Sequence, residues 1–206
     1  MRDIQHLRLA DARRRPWKNG RGTTVELALW PADADFERGT FAWRVSRARV
    51  ETPGPFSSFP GFERVLLATS GAGLELSHGE LAPRARLRTL EPYRFSGDWP
   101  TSAELVGGPV DDFNVVARRA AWEADVQVLR LGRRRAREAP AAEHVLAHLV
   151  RGVARARVSG EDEPYELEAG DTLWARGLGA GDELDLAGAS DDALALLVRL
   201  RELARD

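Results

Sequence analysis

The sequence predicts an all-β protein built as two tandem barrels, and three observations carry that expectation. Apolar residues fall in short alternating runs instead of helical stripes, and Gly, Pro, Asp or Ser interrupts them about every ten residues. The grammar of the first half also returns in the second. Each half passes through a Gly-centred hairpin, LLATSGAGLELS at 66–77 and AHLVRGVARARVSG at 147–160.

Taken in order, the first set of strands is expected at 23–30, 41–50, 64–68, 74–77, 92–95, 102–106 and 114–118. The second set falls at 126–131, 145–150, 154–158, 165–167, 172–175, 183–186 and 193–201. Only 120–122 and 140–143 read as helical, and both are short. A boundary near residue 120 gives a first barrel over 1–119 and a second over 120–206. Within the second, YELEAGDTLWA (Tyr165–Ala175) turns through Gly170-Asp171 into an apolar strand, a motif typical of cupin barrels because glycine permits the turn.

Composition narrows the function. A chain of 206 residues, 43% hydrophobic and 30% charged, can bury a sizeable core and is not disordered. The net charge of -2 leaves the runs Arg13–Arg15 and Arg133–Arg135 in a neutral field, so they read as solvated loops and nucleic acid is not an expected partner. No cysteine is present, which excludes disulfides and thiolate chemistry. The polar N-terminus does not resemble a signal peptide, and no run of 18 apolar residues suggests a membrane span. A cytoplasmic protein without a membrane partner is expected, and a homodimer is compatible with everything above. His6, His78, His144 and His148 are scattered, so neither a metal nor a cofactor is expected. His144 and His148 share a face by their spacing but lack a third ligand, and His78 beside Gly79 reads as a surface turn residue.

One segment stands apart. In PWKNGRGTT (16–24), Lys18 is the only lysine against 29 arginines, in a chain that has exchanged lysine for arginine everywhere else. Either a rotatable ammonium is wanted there, since a solvated surface charge would be served equally well by arginine, or the lysine is a chance survivor. Asn19-Gly20 signals a hairpin with Trp17 beneath it, while the glycines flanking Arg21 would also let backbone N–H groups converge on an anion. In the strand 41–50, alternation sets Phe41, Trp43 and Val45 on one side and Ala42, Arg44 and Ser46 on the other. Facing a barrel interior, Arg44 and Ser46 would suit a carboxylate; facing solvent, they would be unremarkable. The loop GPFSSFPGFER offers Phe56 and Phe59 as apolar walls or as barrel plugs, Ser57 as a polar contact and Arg64 as a second cation. In DDFNVVARR an inward Asn114 needs a partner in backbone or ligand. Thr24 and Glu26 share a face, and Glu26 could neutralise a nearby cation or act as a general base.

Three stretches, PWKNGRGTTVELA (16–28), FAWRVSRARVETPGPFSSFPGFERVL (41–66) and FSGDWPTSAELVGGPVDDFNVVARR (95–119), closely resemble the HutD/Ves family. The resemblance implies a bicupin without a catalytic metal, associated with histidine utilisation or stress induction. It also implies a regulatory role through binding a small carboxylate such as urocanate or N-formylglutamate. The ligand residues would be Lys18, Asn19, Thr24, Glu26, Arg44, Ser46, Phe56, Ser57, Phe59, Arg64 and Asn114. Arg21 and Arg47 depart from the family pattern, which puts the ligand's identity in question more than the site. The competing expectations are a metal-independent isomerase or hydrolase of a similar acid, with Glu26 as base, and a scaffold with a vestigial pocket.

Overall fold

The structure, a computed structural model, describes residues 2–17, 22–138, 142–179 and 181–204. Its strands run, in chain order, β1 (Asp3–Leu7), β2 (Arg13–Pro16), β3 (Thr23–Trp30), β4 (Trp43–Val50), β5 (Gly54–Pro55), β6 (Phe62–Ala68), β7 (Leu74–Ser77), β8 (Ala85–Leu87), β9 (Tyr93–Ser96), β10 (Ser102–Leu105) and β11 (Val110–Arg118). They continue through β12 (Trp122–Arg130), β13 (Arg135–Glu138), β14 (His144–Arg151), β15 (Val153–Val158), β16 (Tyr165–Glu168), β17 (Thr172–Arg176), β18 (Leu184–Gly188) and β19 (Leu194–Glu202). A single 3-10 turn, Leu9–Asp11, is the one helical element among the described residues. The expected helical stretch at 120–122 is instead a turn leading into β12, because Trp122 is buried and already belongs to the strand. At 142–143 the chain bends, and Pro140 and Ala141 lie outside the described residues.

Five strands lie beyond those expected from the sequence, namely β1, β2, β5, β8 and β13, and each lies at the edge of its sheet. An edge strand has one unpaired side and tolerates arginine and proline, so RRRP and RARE form strands without an apolar face.

The chain divides into two compact units, Arg13–Glu123 with Leu203–Asp206, and Ala124–Glu202 with Met1–Ala12. In the first, a six-stranded sheet ordered β2-β3-β4-β11-β6-β9 packs on a four-stranded sheet ordered β5-β10-β7-β8. Leu66, Ala68, Phe95 and Val110 of the larger sheet meet Leu74, Leu76, Leu87 and Ala103 of the smaller one. In the second, the sheets are β1-β17-β14-β19-β12 and β13-β18-β15-β16. Val145, Ala147, Leu173 and Leu197 meet Ala154, Ala156, Leu167 and Leu186. Both units are cupin-like barrels of antiparallel strands. Among the described residues, no helix is long and apolar enough to cross a membrane.

The Gly-Asp turn of the second unit ties the N-terminal segment to it. Gly170 sits at φ +97°, where a Cβ would stand 2.4 Å from Leu9 Cδ2, so glycine is required both for the conformation and for the contact. Asp171 then accepts hydrogen bonds from the Leu9 N–H (3.1 Å) and Glu168 N–H (3.2 Å), and lies 3.0 Å from the His6 ring. Burial opposes ionisation of Asp171, but these donors outweigh it and hold the carboxyl below its ordinary value. Because the folded value is lowered, this contribution to stability is present above the ordinary carboxylate range and is lost as pH falls through the folded value. Asp171→Ala should cost about 1.5 to 3 kcal/mol at neutral pH. Hydrogen exchange should show protection lost in β1 while β4 keeps its own; unchanged β1 protection would mean that strand pairing alone holds the segment.

Candidate functional site

Cross-strand register builds the site row by row on the inner face of the six-stranded sheet. Glu26, Ser46, Asn114 and Leu66 lie side by side across β3, β4, β11 and β6. Thr24, Ala48, Asp112 and Ala68 form the row on one side, and Leu29, Arg44, Val116 and Arg64 the row on the other. A register shift between Glu26 and Ala28 lets both Glu26 and Leu29 fall on this face. The face also carries Leu66, Ala68 and Phe95 of the barrel core, so Arg44 and Ser46 point into the barrel. Both are buried, at 4% and 3% exposure. The opposite face is buried as well, with Trp43, Val45, Phe113 and Val115 all inaccessible.

Two loops close the Arg44 end of the barrel. Phe36, from the β3–β4 connection, stacks on Phe41 at 5.7 Å and meets Phe59 at 6.1 Å, while Phe41 and Phe62 lie 4.7 Å apart. The loop before β6 is fixed by the Phe56 N–H on the Thr101 carbonyl and the Phe59 N–H on the Gly97 carbonyl, both 2.8 Å. Gly97 permits that approach, because a Cβ there would stand 2.5 Å from the Phe59 carbonyl oxygen.

Inside this aromatic end lie two guanidinium groups. Arg44 donates from Nε to Glu26 Oε2 at 2.9 Å, and its Cζ sits 4.2 Å from the centre of the Phe36 ring. Arg44 Nη2 is buried and, among the described residues, has no hydrogen-bond partner. Arg64 donates from Nη1 to the Ser57 carbonyl at 3.1 Å and from Nε and Nη2 to Asn114 Oδ1 at 3.4 and 3.3 Å. Phe56, Phe59 and Phe95 surround its Cζ at 5.4, 5.3 and 5.0 Å, within cation–π range.

Burial disfavours the charge on both arginines. For Arg44, Glu26 opposes that effect. Arg64 is brought down to about 10 by burial and by Arg44, with Asp112 opposing, so it stays cationic at neutral pH. Asp112 itself is pushed up to about 7, mainly by burial and partly by Asp111, against Arg64, the Ala48 N–H and Arg47. The interior therefore carries more positive than negative charge, with Arg44 Nη2 unsatisfied among the described residues, an arrangement able to hold an anion.

A HutD family model matches residues 9–195. This chain belongs to the HutD family. The relatives bear this out: it is 35% identical over 128 residues to an uncharacterized 21.2 kDa protein in the hutC 3' region of Pseudomonas putida, covering 62% of this chain and 65% of that one. The chain thus spans about two thirds or slightly less of the curated relatives it matches. Among solved structures, a conserved protein of unknown function from Pseudomonas aeruginosa matches with TM-score 0.85 and 30% identity, over 98% of this chain and 100% of that chain. HutD from Pseudomonas fluorescens matches with TM-score 0.77 and 32% identity, over the same shares.

The three segments that resemble HutD/Ves converge on this interior. They supply β3 with Glu26, β4 with Arg44 and Ser46, the loop with Phe56 and Phe59, and β11 with Asn114. Not every expected HutD residue stands as anticipated. Ser57 is exposed and reaches Arg64 through its backbone carbonyl instead of its hydroxyl, because the loop turns its peptide toward the barrel. Thr24 Oγ1 accepts the Trp17 indole N–H at 2.9 Å, and so serves the hairpin. Lys18 and Asn19 lie outside the described residues, as does Arg21; Arg47 is half-buried.

Sequence reasoning missed Asp112, which strand parity with Asn114 could have found, and Phe36 and Arg15, which carry no local signal. His78 is not a surface residue but fully buried. Its Nδ1 lies 3.0 Å from Thr101 Oγ1 and its Nε2 3.2 Å from the Tyr93 hydroxyl, with Phe95 and Trp99 packed on the ring. Those partners offset its burial. His144 and His148 are also buried: His144 Nδ1 accepts the Trp174 indole N–H at 3.2 Å, and His148 Nδ1 lies 2.9 Å from Thr172 Oγ1. Among the described residues, no group of three His, Cys, Asp or Glu side chains could hold a metal ion.

Asp112 makes the first barrel sensitive to pH. Its folded value near 7 lies above the ordinary 3.8, so its contribution favours the folded state at acid pH and is lost as pH rises from about 4 through 7. Asp112→Asn should remove that loss. The stability difference between variant and wild type should shift in the variant's favour between pH 4 and pH 8, read by chemical denaturation. A difference independent of pH would show that Asp112 is ionised across the range.

Proposed function

We propose that this HutD-family protein captures a small carboxylate metabolite inside its first barrel and acts as a regulatory binding protein in histidine utilisation. The observation that carries the reading is Arg44 Nη2, a buried cationic donor without a hydrogen-bond partner among the described residues, in an interior of excess positive charge. Leaving such a donor unsatisfied is costly, and a carboxylate is the acceptor that a planar guanidinium fits best. Asn114 and Ser46 stand beside it as polar groups able to orient the ligand, and the phenylalanines form the apolar walls. Lys18 keeps its place in the proposal on the sequence argument alone. The link to histidine utilisation draws on the relative in the hutC 3' region of P. putida. Urocanate and N-formylglutamate are therefore the candidate ligands.

The enzymatic alternative draws less support. Glu26, its only candidate base, is engaged by Arg44 at 2.9 Å and faces Arg15 at 3.7 Å, an environment that suits a counter-ion better than a proton acceptor.

Calorimetric titration of wild type, Lys18→Ala, Arg44→Ala and Asn114→Ala with urocanate, N-formylglutamate and formate tests the proposal. At least one acid should bind wild type, and Arg44→Ala should lose roughly tenfold to hundredfold in affinity, the value of a charge-assisted contact. NMR of the same mixtures should show the acid unconsumed. Equal binding by every variant, with unchanged melting temperatures, would place the ligand elsewhere; consumption of the acid would favour the enzyme.

A further inference from the structure

A carboxylate that reaches Arg44 meets a group already there. Glu26 Oε2 lies 2.9 Å from Arg44 Nε, and an incoming anion must compete with it. The same oxygen lies 3.7 Å from Nε of Arg15, on the edge strand β2. Arg15 Nε is buried and, like Arg44 Nη2, has no hydrogen-bond partner among the described residues. Both guanidiniums rest against one ring, with Cζ 5.3 Å (Arg15) and 4.2 Å (Arg44) from the centre of Phe36. They differ in access. The Arg44 side chain is 5% exposed, whereas Arg15 is 23% exposed and turns its Nη1 toward the exposed Glu37 at 3.9 Å. Glu26 thus stands between an inner and an outer cation, bonded to the inner one and within a small side-chain shift of the outer.

We propose that Arg15 is a positioning residue that takes over Glu26 when a carboxylate occupies Arg44, so that ligand capture is an exchange of ion-pair partners. The inference rests on the carboxylate reading above and deepens it. Before binding, the three groups that share the exchange, Arg15, Arg44 and Glu26, sum to one positive charge, the exposed Glu37 beside Arg15 being screened by water; a singly charged carboxylate brings the three to neutrality. Without Arg15, the displaced Glu26 would stand buried and unpaired beside a second anion, an arrangement that is strongly unfavourable. With Arg15, each carboxylate keeps one guanidinium, and Phe36 holds both cations in place during the exchange. The charge count also names the ligand chemistry at this end of the barrel, a monoanionic carboxylate group in preference to a dianionic phosphate.

The test is a double-mutant cycle. Wild type, Arg15→Gln, Glu26→Gln and the double variant are titrated with urocanate, N-formylglutamate and formate, with inorganic phosphate, kept alkaline enough to be dianionic, as the control anion. Arg15→Gln should weaken carboxylate binding about tenfold in the wild-type background. In the Glu26→Gln background, where no charge is displaced, the same substitution should change affinity by less than about twofold. Rescue of this kind separates exchange from a merely structural role of Arg15. An equal loss in both backgrounds would mean that Arg15 touches the ligand directly and would overturn the exchange, as would no loss in the wild-type background or phosphate binding as tight as carboxylate. If wild type binds none of the carboxylates, the functional reading itself falls, and the exchange falls with it.

Discussion

Two arginine side chains buried inside one β-barrel set the conditions that the surrounding residues must meet. Removing an ionised group from water costs several kcal/mol, and an arginine cannot escape by releasing its proton near neutral pH. Arg44 is compensated by Glu26 and the face of Phe36, Arg64 by Asn114, the Ser57 carbonyl and three phenylalanine rings. The architecture follows from these needs. The bulge in β3 aims Glu26 inward, Gly97 admits the loop whose peptide reaches Arg64, and the aromatic end excludes water that would otherwise screen the charges. The compensation is unequal. Each nitrogen of Arg64 has a hydrogen-bond partner, whereas among the described residues Arg44 Nη2 has none, and the proposed ligand site rests on that asymmetry.

The second barrel supplies a control within the same chain. Its hydrophobic core is built from leucine, valine and alanine, with partly buried Ile4, Ala136, Tyr165 and Leu178 packed against it. Such a core needs no electrostatic compensation. Its buried polar residues are paired: Asp171 secures the N-terminal segment, and His144 and His148 each meet a neighbour from β17. The two barrels share a strand grammar and differ in what a few inward positions carry.

Strand parity alone placed Arg44 and Ser46 opposite Trp43 and Val45, and the structure confirms that division. What parity could not decide was whether the polar side met water or a second sheet, because a barrel interior is made by pairing distant in sequence. The edge strands were illegible for a related reason: RRRP and RARE lack an apolar face, and their strand state is imposed by the neighbour they hydrogen-bond. Arg15 and Phe36 belong to segments that look like solvated loops until β2 pairs with β3 and the 31–42 connection folds over the barrel end. His78 was misjudged on the glycine beside it, although Tyr93, Phe95 and Trp99 arrive from residues well beyond that turn. Ser57 offers a hydroxyl in the sequence and contributes a carbonyl in the fold, a distinction that residue type cannot convey.

The central claim is that the free nitrogen of Arg44 receives a carboxylate. Side-chain nitrogen NMR of protein labelled at arginine, with Arg44 assigned by Arg44→Lys, tests it most directly during titration with urocanate and with N-formylglutamate. The account predicts that, for an acid that binds, the Arg44 Nη signals shift and slow their exchange with water, saturating at one equivalent. Saturable binding of that acid with the Arg44 signals unmoved would contradict it.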